Sequence, residues 1–121
     1  MFSGGVILLE NLPFDGSYKF PKLTTAQNAY NRCSSLANFP PGAFDKTGTL
    51  NSQAFDKAWF SCSLTKESIE NIFVSLDTSG QSNIMLGIDG GTNAAKSTWT
   101  AAANTAYTNL IGKGWTISFN A

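Results

Sequence analysis

The chain has 121 residues, enough for one domain with a modest hydrophobic core. Eight basic and eight acidic residues cancel to a formal charge of zero, which argues against nucleic acid as a partner. No apolar run approaches the roughly 20 residues of a membrane-spanning helix, so membrane insertion is not predicted. The chain has no histidine, which excludes a Cys-His nucleophile and histidine metal ligands.

An N-terminal strand or arm is predicted at residues 1–13, where a short apolar run is followed by a Leu-Pro pair. No basic region precedes this run, so a secretory signal is not predicted. An uncovered apolar strand edge invites pairing with another chain, and a tyrosine in the following loop has no periodic partner. The candidate partner-binding residues are therefore Val6, Ile7, Leu8, Leu9 and Tyr18.

Two repeats are predicted within residues 14–64. Residues 26–33 read AQNAYNRC and residues 55–62 read FDKAWFSC, so a shift of 29 positions places Tyr30 on Trp59 and one cysteine on the other. Self-similarity at such a period is typical of stacked units, each of which covers the apolar face of its neighbour. Equivalent positions are therefore expected to share one environment in the fold.

The spacing of small and apolar residues in the repeats predicts helical structure. A short helical turn is expected near residues 25–33, and a helix in the second repeat is expected to carry Leu50, Ala54, Ala58 and Cys62 on one face. Cys33 and Cys62 are expected to be small, buried side chains in adjacent layers. A disulfide between them stays open as an alternative, because it requires Cα atoms within about 7 Å.

The segment that follows the repeats is predicted to begin with an amphipathic helix. Thr65 is its expected N-cap, and the helix is expected to end before Asp77. Its apolar face comprises Ile69, Ile72, Phe73 and Leu76.

Residues 65–121 are predicted to comprise this helix and, after it, a C-terminal cap of strand, helix and strand. Alternating apolar residues indicate strands near residues 84–88 and 115–119. The helix between them is expected to begin after Ser97 or Thr98 and to stop at the glycines that flank Lys113. Such a cap would close the open apolar end of the repeats.

Few residues offer catalytic or ligand-binding chemistry. Asp15, Asp45 and Asp77 share an apolar-Asp-x-Ser/Thr pattern and could stack on one face as a glycosidase-like set or a Ca²⁺ site. Aspartates at turns more often bond their own backbone, and the glycine-rich residues 87–91 lack phosphate-loop spacing. We therefore predict a protein that is not an enzyme, with no catalytic residues, no metal and no cofactor.

Most aromatic side chains are expected in the core rather than on a sugar-binding surface, because they occupy repeat positions or apolar helix and strand patterns. The predicted core comprises Tyr30, Cys33, Leu36, Phe55, Trp59, Cys62, Ile69, Phe73, Leu86, Leu110, Trp115 and Ile117.

Residues 33–40, which read CSSLANFP, resemble the C-x-S-L-x-x-F-P signature of leucine-rich repeats of the bacterial-surface-antigen type. Residues 64–72, 76–81, 90–93 and 112–117 are similar to the C-terminal end of such arrays in structural proteins of marine bacteriophages, cyanophages in particular. The resemblance and the repeat together predict an α+β fold: a short leucine-rich-repeat-like solenoid of two repeats, closed by the C-terminal cap, in a single domain of residues 1–121.

The resemblance also implies a function and a location. The expected role is that of a structural protein on the surface of a phage virion, as a capsid decoration protein, capsid fibre or tail accessory component. Its expected partners are other virion proteins or further copies of itself. The alternative is a receptor-binding fibre tip that mediates host attachment by recognising a surface glycan or protein, and a bacterial adhesin fragment is a third possibility.

Overall fold

The computed structural model describes residues 25–45, 47 and 49–121, and this part of the chain has an α+β fold. Two helices, α1 (Lys66–Ser79) and α2 (Ala101–Gly112), pack against each other. Two short strands, β1 (Met85–Ile88) and β2 (Thr116–Phe119), pair in parallel. A 3-10 turn at Lys96–Thr98 precedes α2. The predicted arm at residues 1–13 lies outside the described residues.

Helix α1 begins at its predicted cap and extends beyond its predicted end. The Thr65 hydroxyl accepts a hydrogen bond from the Ser68 N–H at 3.1 Å, which satisfies one of the free donors of the first turn. The helix continues through Asp77 and stops at Gly80, whose φ of 75° is easily adopted by glycine. The predicted end before Asp77 is wrong, because the turn at Gly80, and not the last apolar residue, terminates the helix.

Residues 25–33 and 50–62 form successive tight turns instead of the predicted helical segments. In the second repeat the N–H of Ala58 donates to Phe55 O and that of Cys62 donates to Trp59 O, each three residues back. The third residues of these turns, Lys57 and Ser61, have φ values of 54° and 59°, which an α-helix does not tolerate. The four residues expected on one helix face are nevertheless all buried, because turns of this length also return the chain to the core.

The backbone N–H groups that make no hydrogen bond within the turns donate to the next segment of the chain instead. Tyr30 N–H donates to Ala58 O at 2.8 Å, Trp59 N–H donates to Gly87 O at 3.0 Å, and β1 then pairs with β2. We call this hydrogen-bonded series the ladder; its four levels are residues 26–32, 54–61, 85–89 and 116–119. Each level satisfies the backbone groups of its neighbour, as buried polar groups require.

Stacked aromatic rings fill the core beside the ladder. The rings of Tyr30 and Trp59 lie 5.7 Å apart and 13° from parallel, as expected from their equivalent repeat positions. Phe55 stacks on Trp59 at the same distance, and Trp115 stacks on Phe55 at 6.3 Å. The predicted core residues are all buried except Ile117, which is half-buried because it lies on the last level of the ladder.

The start of α2 differs from its prediction. Thr100, and not Ser97 or Thr98, is the N-cap, and its hydroxyl accepts from the Ala103 N–H at 3.1 Å. Residues 96–98 form the 3-10 turn instead, which lets the buried Trp99 enter the core before the helix begins. Neither helix of the described part is long and apolar enough to cross a membrane.

Candidate interaction surface

The partner-binding residues predicted from the sequence are Val6, Ile7, Leu8, Leu9 and Tyr18, and all five lie outside the described residues. Their role therefore stays a prediction. The described part offers a different candidate interaction surface, along strand β2.

Strand β2 pairs on one edge only within the described residues. Thr116 lies opposite Met85, and its N–H donates to Ile84 O at 3.0 Å. In a parallel pair, alternate residues direct both backbone groups toward the neighbouring strand. Thr116 and Ser118 therefore face β1, whereas the N–H and C=O groups of Ile117 point away from it. This outer edge has no backbone partner in the part of the chain that the structure describes.

The strand is held firmly on its inner side. Phe119 packs edge-on against Trp99 and Tyr107, with ring centroids 5.4 and 5.6 Å away. Lys96 N–H donates to Asn120 O at 2.8 Å, and the Asn120 side chain accepts from Gly90 N–H at the same distance. The edge is thus presented on a fixed support.

Charge does not protect this edge. Residues 114–121 read GWTISFNA and contain neither a charged residue nor a proline, the residues that commonly block edge pairing. The outward side chains of Thr116 and Ser118 are exposed and carry hydroxyl groups. Sequence reasoning predicted this strand but assigned it a closing role; the uncharged stretch was the signal that it could also bind.

Asp77 and Lys113 form an ion pair that ties the end of α1 to the end of α2. Lys113 Nζ lies 2.6 Å from Asp77 Oδ1, and Asn109 Nδ2 donates to Asp77 Oδ2 at 2.9 Å. Burial raises the pKa of Asp77, but the hydrogen bonds from Lys113 and Asn109 and the Lys113 charge outweigh it and hold the pKa below its usual value.

We expect this ion pair to make stability pH-dependent in acid. Because the pKa of Asp77 is lower in the folded chain, its contribution is complete above the pKa of the unfolded chain and is lost as the pH falls through the folded value. For such a partly exposed pair it amounts to no more than about 1 kcal/mol. Urea unfolding should show Asp77→Asn less stable than wild type at neutral pH, with the difference vanishing in strong acid. Lys113→Met is the matched variant, because it removes the other partner of the ion pair. A stability difference from wild type that does not change with pH would contradict the assignment of the effect to the ionised Asp77 carboxylate.

Cys33 and Cys62 are buried, as predicted, and are not joined by a disulfide. The Cys62 thiol donates to Tyr30 O at 3.0 Å. Burial, with the nearby thiols, raises the pKa of the Tyr30 hydroxyl far above its usual range, so this group stays neutral.

Thiol labelling should therefore be slow in the native protein. Cys33 is 7% exposed and Cys62 is 0% exposed, so reaction with a reagent is expected to require local opening. We expect both cysteines to react rapidly with a thiol reagent in denaturant and only slowly without it. Rapid labelling of both in native buffer would show that the core is not closed around them.

The carboxylates of the described part make separate contacts. Asp45 accepts from the Ser75 hydroxyl at 2.8 Å, Glu70 accepts from Thr100 at 2.6 Å, and Asp77 pairs with Lys113. Asp77 lies in α1 and not at a turn, so its interpretation as a self-bonded turn aspartate is wrong. No group of three or more potential metal ligands occurs among the residues that the structure describes, and Asp15 lies outside them.

Comparison with models of protein families, with curated proteins and with solved structures finds no match to this chain.

Proposed function

We propose that this protein is a non-enzymatic structural component on the surface of a bacteriophage virion. It would serve as a capsid decoration protein, capsid fibre or tail accessory component, and act through contacts with virion proteins or with copies of itself. The proposed fold is a short leucine-rich-repeat-like stack closed by the C-terminal strand, helix and strand.

The environment of the resembling motif supports this proposal. Cys33, Leu36 and Phe39 are the apolar positions of the signature-like residues 33–40, and all three are buried. The 29-residue step also continues in hydrogen bonds that join Ser34, Ser63 and Thr92. The Ser63 hydroxyl donates to Ser34 O at 2.6 Å, and Thr92 donates to the Ser63 hydroxyl at 2.7 Å. Stacked repeats bring equivalent positions into register in this way.

The outer edge of β2 is the observation that carries the assembly role. A strand that packs on its inner side, and whose outer N–H and C=O groups have no backbone partner among the described residues, can bind an extended segment of another protein. The outer edge of β2 binds through backbone hydrogen bonds. Such bonds suit a protein partner and offer no chemistry for catalysis. A particle component that docks on a neighbour needs such a surface.

One contact favours the alternative, a receptor-binding fibre tip. The Arg32 guanidinium lies 5.7 Å from the centroid of the Phe60 ring, and Arg32 is exposed while Phe60 is half-buried. A cation beside an accessible aromatic ring suits contact with a host glycan or protein.

Analysis of purified virions tests the two roles against each other. For the structural role we expect the protein in particles at a fixed copy number, with labelled antibodies placing it on the capsid or tail. Arg32→Ala should leave particle incorporation unchanged. Location at fibre ends, combined with tight binding of the purified protein to host cells that is lost in Arg32→Ala, would overturn the structural role in favour of the receptor-binding tip. Absence from virions would refute both roles.

A further inference from the structure

We infer that strand β2 joins two copies of this chain, paired antiparallel about a two-fold axis at Ile117. This inference rests on the proposed function, since it names the partner of the same surface. The occupant of the edge is thus β2 of a second copy.

The direction of the backbone groups sets the axis. Ile117 directs both its N–H and its C=O away from β1, as follows from the Thr116 N–H bond to Ile84 O and the parallel register. In an antiparallel sheet, two directly opposed residues of the hydrogen-bonded type exchange both bonds. An axis at Ile117 makes the two copies of this residue such a pair and satisfies the groups that are otherwise unpaired in the described part.

The same axis places compatible side chains opposite each other. Thr116 of one copy lies across from Ser118 of the other, on the exposed face of the strand. Hydroxyl pairs of this kind are favourable cross-strand neighbours. Ile117 keeps its contact with its own core, because its side chain lies on the opposite face.

Charge favours a second copy as the occupant. A two-fold contact places each charged residue beside the axis close to the same residue of the second copy. The two like charges repel each other, so an unpaired charge beside the axis would weaken the contact. Residues 114–121 contain none. Lys113, which precedes this stretch, pairs with Asp77, and Lys96, whose N–H donates to Asn120 O, lies over the rings of Trp99 and Tyr107. The edge is therefore neutral and complementary to itself.

Two double variants test both the partner and the register. In Thr116→Lys/Ser118→Lys, each cross-strand pair about the proposed axis becomes Lys–Lys. In Thr116→Lys/Ser118→Glu, each pair becomes Lys–Glu, with the lysine at the same position. Both sites are exposed, so the fold is retained in either variant, and circular dichroism checks this.

Sedimentation from about 10 to 500 μM should show a weak monomer–dimer equilibrium for the wild type, as a single short strand pair implies. We expect the double-lysine variant to dimerise at least about 10-fold more weakly, and the lysine–glutamate variant as well as the wild type or better. Hydrogen exchange at the Ile117 amide should slow as the wild type is concentrated. A wild type that stays monomeric, or two variants that dimerise equally, would overturn the inference.

Incorporation into virions separates this inference from the proposed function. A monomeric protein found at fixed copy number in particles refutes the dimer and leaves the structural role intact. A dimer of the expected register that is absent from particles supports the inference and refutes the structural role.

Discussion

Replacing Trp59 with alanine is expected to lower the free energy of unfolding by about 3–5 kcal/mol, the usual cost of truncating a large buried aromatic residue. The Trp59 side chain is 0% exposed and stacks on both Tyr30 and Phe55. Its removal leaves a cavity between the Tyr30 and Phe55 rings, which the surrounding core can fill only partly. A loss of this size is a large fraction of the stability of a small domain.

Denaturant unfolding followed by circular dichroism measures this effect. Val74→Ala is the matched control, because Val74 is 42% exposed on α1 and its truncation should change stability by less than about 0.5 kcal/mol. An unfolding midpoint that is unchanged in Trp59→Ala would mean that the ring is not part of the core, and would revive the interpretation of the tryptophans as a ligand-binding surface.

Replacing Gly91 with alanine is expected to cost at least about 2 kcal/mol, from strain in a left-handed backbone and from a steric clash. Gly91 has a φ of 55°, and a Cβ atom at this position would lie 2.5 Å from the Cys62 carbonyl oxygen and 2.7 Å from Ser61 Cα. These are backbone atoms, so no side-chain rotation relieves the contact. The backbone at Gly91, just after the third level, would have to move away from Ser61 and Cys62.

Gly112→Ala provides the control for this prediction. Gly112 is the last residue of α2, and a Cβ atom there meets no atom within 4 Å, so alanine should be neutral or stabilise by up to about 1 kcal/mol. Thermal unfolding of the two variants should therefore shift in opposite directions or by clearly different amounts. Equal shifts would show that residues 61–62 and 91 are not in close contact.

Local patterns predicted the parts of the fold that depend on neighbours in the sequence. The apolar spacing and the threonine cap located α1, because a helix forms its hydrogen bonds within one segment. The shift of 29 residues also identified Tyr30 and Trp59 as partners. That inference needed only the expectation that equivalent repeats stack.

The same kind of pattern failed where the partner of a backbone group is distant. The spacing of Ala54, Ala58 and Cys62 fits a helix face, yet these residues lie in turns whose spare N–H groups bind other segments. Apolar spacing predicts which side chains face the core. It does not predict which groups the backbone N–H and C=O groups bond. The choice of Thr100 over Ser97 or Thr98 as cap was likewise decided by the docking of Trp99 in the core.

By itself, the sequence determined the repeat step, the buried aromatic and cysteine positions, the neutral charge and the start of α1, since each follows from residue type and local spacing. Only the tertiary structure decided that the repeats form a ladder of turns and that β2 is its last described level. These features depend on which chain segments lie about 5 Å apart, within hydrogen-bonding reach. The candidate surface is a consequence of that arrangement, because an edge is open only when no further segment pairs with it.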